Sequence, residues 1–344
     1  MNQLGLDLGS SVIKAVEVQR EKSNTSLLKI AKADTTGINI LSSSEADIKK
    51  AITFVTDFVM QNQLLGKYVT VSIPQALIFT KILSFPDLKG KDLEKAIEFE
   101  MVQESPIPLE DASKNYQILP SNAGKSDSTE VLVVIAPNML TKKILNIVKS
   151  SGLQIQAIEP TSTANIRAIM DEERENPTTI IADIGEKNTD ILIYSDFALR
   201  FTRSVSTGFE SVVKAAAQDL NLEKVQAAEY VKSYGLLSDK LNGKIKDAVS
   251  PIMGVILNEI KRSITFYESR NSSNLVKRVV FCGGGSLIPG LVVYSANYLN
   301  TEVQIANPWN RLTSLGKYAD RQKELEDIGP LFTTAVGLGL KPAS

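Results

Sequence analysis

Apolar and polar positions alternate through the first stretch of the chain. In "LGLDLGSSVIKAVEV" (4–18), Leu4, Leu6 and Leu8 alternate with Gly5 and Asp7. Gly9-Ser10-Ser11 breaks the pattern, and Val12, Ile13, Ala15, Val16 and Val18 resume it. The spacing predicts strand, tight turn, strand. Over 44–65 the period becomes helical: Ile48, Ile52, Val55 and Val59 mark one face, and Ser44 stands at the N-cap with Asp47 three positions on. "VTVSI" (69–73), closed by Pro74, and "IFTKILSF" (78–85) read as strands, and 91–104 as an acidic amphipathic helix stopped by "SPIPL". "NYQIL" (115–119) and "EVLVVIA" (130–136) read as strands around the polar loop "PSNAGKSDS". A helix over 138–152 ends in glycine, and "LQIQAIE" (153–159) returns as a strand. The section 70–150 reads either as a small α+β module, about 75–150, inserted between the helix and the returning strand, or as a continuation of one sheet.

A second cycle opens at 178. "TTIIADIGEKNTDILIYSD" predicts strand, turn, strand, and "FALRFTRSV" a third strand. Asp183-Ile184-Gly185 repeats the order of Asp7-Leu8-Gly9, acid, apolar residue, glycine. The repeat implies two similar lobes, each lending an acid-tipped hairpin to a cleft between them. Helices follow at 208–219, 223–234 and 246–269, the last with Pro251 expected in its first turn. In "VKRVVFCGGGSLIPGL" (276–291) a buried strand runs into three glycines and then a helix. The glycines remove every Cβ where a flat ligand approaches the backbone, and the helix would turn its N-terminus to an anion; the plain alternative is a strand-to-helix turn.

Composition narrows the chemistry. The 344 residues, 43% apolar, suffice for two or more packed domains. A net charge of -1 gives no basic field for nucleic acid. The one cysteine, Cys282, excludes a disulfide framework and fits a reducing compartment. With no histidine, Ser-His-Asp and Cys-His triads and histidine metal ligands are excluded, so any metal is a hard ion on oxygen ligands, such as Mg²⁺. No apolar run approaches the roughly 18 residues that cross a bilayer, and the tail "KPAS" is short and polar. The reading is a cytosolic protein that meets a membrane only through a partner. The first hairpin then reads in two ways: an ordinary polar turn, or a site for phosphate and a divalent metal. In the second, small residues admit an anion, hydroxyls donate, Lys14 adds charge, and a cation screens Asp7.

Taken together, these segments resemble the actin-like ATPase superfamily. "LGLDLGSSVIKAVEV" and "IIADIGEKNTDILIY" look like its two phosphate hairpins, and "IEPTSTAN" (158–165) and "FTTAVGLGL" (332–340) like its two connecting helices. "VVFCGGGSLIPGL" looks like its adenosine motif. Within that superfamily the chain is similar to the PilM family of type IV pilus assembly, through "VSIPQALIFTKILSFPDL", "KDLEKAIEFEMVQESPIPLEDASKNYQIL", "EVLVVIAPNMLTKKILNIVKSSGLQIQAIEP" and "EIKRSITFYES". A related secretion-system component, the cytoplasmic part of GspL, shares the fold, and a filament-forming cell-division ATPase is a further alternative.

The resemblance implies a two-lobed α/β fold of the actin-like, ribonuclease H-like kind. Lobe I covers 1–160 and carries the module at about 75–150; lobe II covers 161–325; a helix over 326–344 returns to lobe I. It implies ATP with Mg²⁺: Asp7 and Asp183 orient the metal through its waters. Gly9, Ser10, Ser11 and Lys14 from lobe I, and Gly185, Asn188 and Thr189 from lobe II, hold the phosphates. Gly283, Gly284, Gly285 and Ser286 lie against the adenosine, and Glu259, Arg262 and Ser263 reach base and ribose. Glu159 is either the group that orients the attacking water or a cap for the following helix. Turnover is at most slow, and without a placed Glu159 the nucleotide is a latch closing the lobes. The implied partner is the cytoplasmic N-terminal peptide of a PilN-like inner-membrane protein, docked beside the module, with other pilus assembly proteins and self-association as further possibilities. The implied location is the inner face of the cytoplasmic membrane.

Overall fold

The computed structural model describes residues 2–21, 24–35, 37–40, 42, 44–64, 66, 68–120, 128–171, 174 and 176–342. The strands are β1 (Asn2–Leu8), β2 (Val12–Glu21), β3 (Asn24–Asp34), β4 (Tyr68–Ile73), β5 (Phe79–Pro86), β6 (Ala112–Ile118), β7 (Ser128–Pro137), β8 (Gln154–Pro160), β9 (Thr179–Ile184), β10 (Thr189–Ser195), β11 (Ala198–Val205), β12 (Arg278–Cys282) and β13 (Glu302–Ile305). The α-helices are α1 (Glu45–Gln61), α2 (Gly90–Glu104), α3 (Asn138–Ser150), α4 (Thr161–Ile169), α5 (Phe209–Asp219), α6 (Lys224–Tyr234), α7 (Lys244–Glu268), α8 (Leu291–Leu299) and α9 (Gln322–Gly339). Most of the loop "PSNAGKSDS" and the end of the tail lie outside the described residues.

Two five-stranded sheets have the same build. Their orders are β3-β2-β1-β4-β8 and β11-β10-β9-β12-β13. In each, an antiparallel hairpin continues into parallel neighbours. The weak repeat in the sequence is therefore a repeat of topology. Helix α1 starts as its pattern predicts, with Ser44 Oγ accepting from the Asp47 amide at 3.1 Å.

The third sheet, β5-β7-β6, carries α2 on one face, over Leu83, Phe85, Val131 and Val133. Helix α3 is not part of that small core: Leu140, Ile144, Ile147 and Val148 pack with α1 and the first large sheet. The small sheet also reaches the second lobe. Leu119 and Leu132 join one cluster with Ile181, Leu192, Leu199 and Cys282. Beside them the buried Arg200 of β11 meets Glu130 of β7 at 2.6 Å.

Two expectations about helices are corrected. Helix α7 starts at Lys244, so Pro251 sits inside it rather than in the first turn. The Asp247 carbonyl that a proline cannot serve accepts instead from Ser250 Oγ at 3.4 Å. The chain also rejoins the first lobe before 326: Trp309 packs with Val16, Val18, Leu27 and Phe332, and Leu27 N donates to Ser314 O at 2.9 Å. The connecting helices α4 and α9 cross beneath both sheets at very close range. A Cβ on Gly337 would lie 1.9 Å from the Ala164 carbonyl oxygen, and one on Gly5 would lie 2.1 Å from that of Ala335.

Candidate functional site

The two hairpin turns face each other across one cavity of about 710 Å³. From the first lobe it is lined by Asp7, Gly9, Ser10, Ser11 and Lys14, and from the second by Asp183, Gly185 and Asn188. All eight are sequence-predicted residues, and only tertiary folding brings the two sets together.

Cross-strand register sets the charges. Asp7 pairs with Lys14, and their side chains meet at 2.6 Å. Ser72, one strand away, donates to Asp7 Oδ1 at 2.8 Å and accepts from the Leu8 amide at 3.0 Å. The equivalent pair in the second lobe is Asp183 and Asp190, an acid where the first lobe has a lysine. Burial pushes the Asp183 carboxyl up; Asn165 and Lys14 oppose the shift, and the Asp7 charge adds to it. Burial first, and then the Asp183 charge, raise Asp190 to about 7, against a hydrogen bond from Ser204. Glu186, in the second turn, is raised by burial and by Glu210, and the Ser11 hydroxyl across the cleft opposes this. Five carboxyl groups and five lysines line the cavity, so acidic and basic residues are equal in number there.

Sequence reasoning passed over the groups that position Asp183. Asn165 on α4 donates to Asp183 Oδ2 at 2.7 Å, and Thr334 on α9 donates to Asn165 Oδ1 at 2.8 Å. A buried asparagine on the inward face of a short apolar helix was the available signal. It also passed over Lys224, Ala228 and Lys232, which recur every four residues on α6 and so share one face, here turned to the cavity. With Phe209, Val213 and Leu287 that face makes a half-apolar wall.

All three glycines of the triple run line the same cavity, and two of them also serve packing. A Cβ on Gly283, whose φ is +79°, would lie 2.2 Å from Asp183 Oδ1, and one on Gly285 would lie 2.3 Å from Ile184 Cγ2. These two glycines admit the second hairpin, while Gly284 has room above it, its nearest neighbour being Leu331 at 3.5 Å. The following element is a short 3₁₀ turn, Gly284–Leu287, and α8 starts only at Leu291, so no α-helix N-terminus stands at the glycines. The start of α5 is closed as well: the Phe209 amide donates to Gly185 O and the Glu210 amide to Glu186 O, both at 2.9 Å.

Several expected residues point elsewhere. Thr189 is buried and donates to Thr207 O at 2.7 Å. Ser286 donates back to Gly283 O at 2.7 Å. Glu259 is held by Arg203 at 3.0 Å and Arg262 at 2.6 Å, and Ser263 donates to the Glu259 carbonyl at 2.8 Å. Glu259 of α7 thus meets β11 through Arg203, and α6 rather than α7 lines the cavity. Glu159 is in neither of its expected roles. It lies between Arg167, at 2.5 Å, and Lys341, at 2.9 Å, and Arg167 donates also to Gly337 O at 2.8 Å. A carboxylate spent on two cations is a poor base, and it ties β8, α4 and the C-terminal segment together.

The family model for the type IV pilus assembly protein PilM matches residues 5–343. This chain belongs to the PilM family. Among solved structures, a PilM-PilN type IV pilus biogenesis complex superposes with a TM-score of 0.83 at 22% identity, covering 99% of both chains. MreB5 of Spiroplasma citri bound to ADP gives 0.51 at 13% identity, over 98% of this chain and 94% of the other. At these identities the likeness shows the fold, which is actin-like. Curated relatives include the cell division protein FtsA of Neisseria meningitidis serogroup B, 24% identical over 61% of this chain and 53% of its own length. FtsA of Escherichia coli K12 is 22% identical over 69% and 60%. The chain thus spans a little over half the length of these FtsA relatives. Among the described residues no helix is long and apolar enough to cross a membrane.

Proposed function

We propose that this chain is an ATP-binding scaffold of a type IV pilus assembly complex, joined to the cytoplasmic N-terminal peptide of a PilN-like inner-membrane protein. The nucleotide half rests on one observation: Asp7 and Asp183, from equivalent hairpins of different lobes, line the same cavity. In this reading the triphosphate lies between the two turns. Ser10, Ser11 and the turn amides donate to its oxygens, and Lys14 counters its charge. The purine rests on Phe209, Val213, Ala228 and Leu287, above Gly284.

The site fits magnesium by its donor chemistry, two carboxylates and no nitrogen or sulfur ligand. Among the described residues no three His, Cys, Asp or Glu side chains gather around one point, so most ligands would be water and phosphate oxygen. When bound, the ion would neutralise phosphate charge. With Glu159 engaged elsewhere, ATP serves as a latch: a ligand touching both lobes stabilises their closed arrangement by mass action. The partner half is supported by the family and by the PilM-PilN neighbour; the peptide docks beside the small sheet, which touches both lobes and so senses their closure.

Calorimetric titration with ATP–Mg²⁺ is the test. Asp7→Ala and Lys14→Ala should each weaken binding at least tenfold, and unchanged affinity in both removes the phosphate site. Titration with a partner peptide should give tighter binding when ATP is present; equal affinities remove the latch.

A further inference from the structure

We infer that the α7–α8 face of the second lobe is a membrane-apposing surface for anionic lipid headgroups, a property independent of the nucleotide reading. Lys261, Arg262 and Phe266 stand on the exposed stripe of α7 around a shallow pocket of about 500 Å³. Arg203 from β11 and Arg270 at the end of α7 adjoin it. Of the acids beside these four cations, Glu259 is buried and bound by Arg203 and Arg262, and Glu268 of the same helix accepts from the Val276 amide at 2.9 Å. Lys261 makes no ion pair among the described residues. The chain as a whole carries a charge of -1, so this is a local concentration of positive charge.

The apolar part is of the interfacial kind. Phe266 is 47% exposed, with the Arg270 guanidinium 3.8 Å from its ring centre and Phe201 5.4 Å away. Helix α8, "LVVYSANYL", has no charged residue and bares Val293, at 67%, and Tyr298. The Tyr298 hydroxyl donates to Asn258 Oδ1 at 3.0 Å, which places Tyr298 at the edge of the α7 pocket. A polar-tipped tyrosine, a half-exposed phenylalanine and long cationic side chains suit the headgroup layer of a bilayer. Charge selects this occupant. An anionic leaflet attracts such a face more than the exposed Phe99 and Val102 of α2, which stand beside Glu98, Glu100 and Glu104, two of these paired with Lys114 and Lys81. Each cation contributes a modest attraction, and on one face their contributions add.

Vesicle co-sedimentation of the full chain tests this. The protein should sediment with vesicles of phosphatidylglycerol and phosphatidylcholine at low salt, and not with phosphatidylcholine alone or at high salt. Replacing two of the four cations (Lys261→Gln with Arg262→Gln) should weaken binding more than tenfold, at roughly fivefold per charge. Phe266→Ser should weaken it independently. Thermal unfolding of each variant checks that the fold is kept. A native chain that stays in solution with anionic vesicles, or a double variant that sediments like the native chain, overturns the inference. If no vesicle binds but the double substitution breaks up an oligomer seen by ultracentrifugation, the face is a protein contact and the inference is overturned.

Discussion

At the scale of single residues, the two lobes are equivalent in backbone and opposite in charge. Where β2 offers Lys14 to Asp7, β10 offers Asp190 to Asp183, so two carboxylates share the second wall. Asp190 is raised from 3.8 to about 7 by burial and by Asp183. A raised acid binds its proton more tightly in the folded chain. Its stabilising share is full below pH 3.8 and is lost as the pH climbs through about 7. Asp190→Asn should therefore remove a decline in melting temperature over that window and leave the variant more stable at pH 8, by a few kcal/mol at most. Parallel melting curves of variant and native chain across the range would contradict the shift. Glu159 makes a different point. Removing it by Glu159→Gln leaves Arg167, whose side chain is 16% exposed, without its charge partner. The expected loss is about 3 kcal/mol in denaturant unfolding, with ATP affinity unchanged; a selective loss of nucleotide binding would return Glu159 to the site.

At the scale of elements, close packing explains most of the glycines that look like ligand motifs. Gly337 lets α9 lie against α4, and the space for even one methyl is absent. Gly337→Ala should cost about 3 kcal/mol or more, read from the urea midpoint. Gly254 of α7 is the contrasting case, since its nearest neighbour to an added Cβ is Tyr298 Oη at 4.0 Å. Gly254→Ala should be neutral or stabilising by up to ~1 kcal/mol through helix propensity. Equal effects at the two positions would mean that the α4–α9 crossing is looser than this geometry.

At the scale of the whole molecule, the small sheet is a bridge. Its strand β7 is fixed to β11 by Glu130 and Arg200, and its apolar underside is shared with the second lobe. Excising 75–150 would also remove α3 from the core of the first lobe. A milder cut is Leu132→Ala, which should destabilise the protein by about 2–4 kcal/mol and weaken the dependence of peptide affinity on ATP. A variant that loses stability while keeping that dependence would place the coupling elsewhere.

Much of this was legible in one dimension because the signals are local. Alternation of apolar residues placed β1, β2, β9 and β10, turn chemistry placed Gly9-Ser10-Ser11, and the cap at Ser44 placed α1. The matched acid-apolar-glycine turns announced two lobes, and with them Asp7 and Asp183 of the cavity. What the linear order left open depends on side-chain direction and on partners distant along the chain. Asn165 and Ser72 matter through Asp183 and Asp7, which lie far from them in sequence. Glu159, Thr189 and Glu259 were turned away from the cavity by a cation or a carbonyl that no local pattern names. Local periodicity sets which residues share a face; what that face meets is decided by the packing of the folded chain.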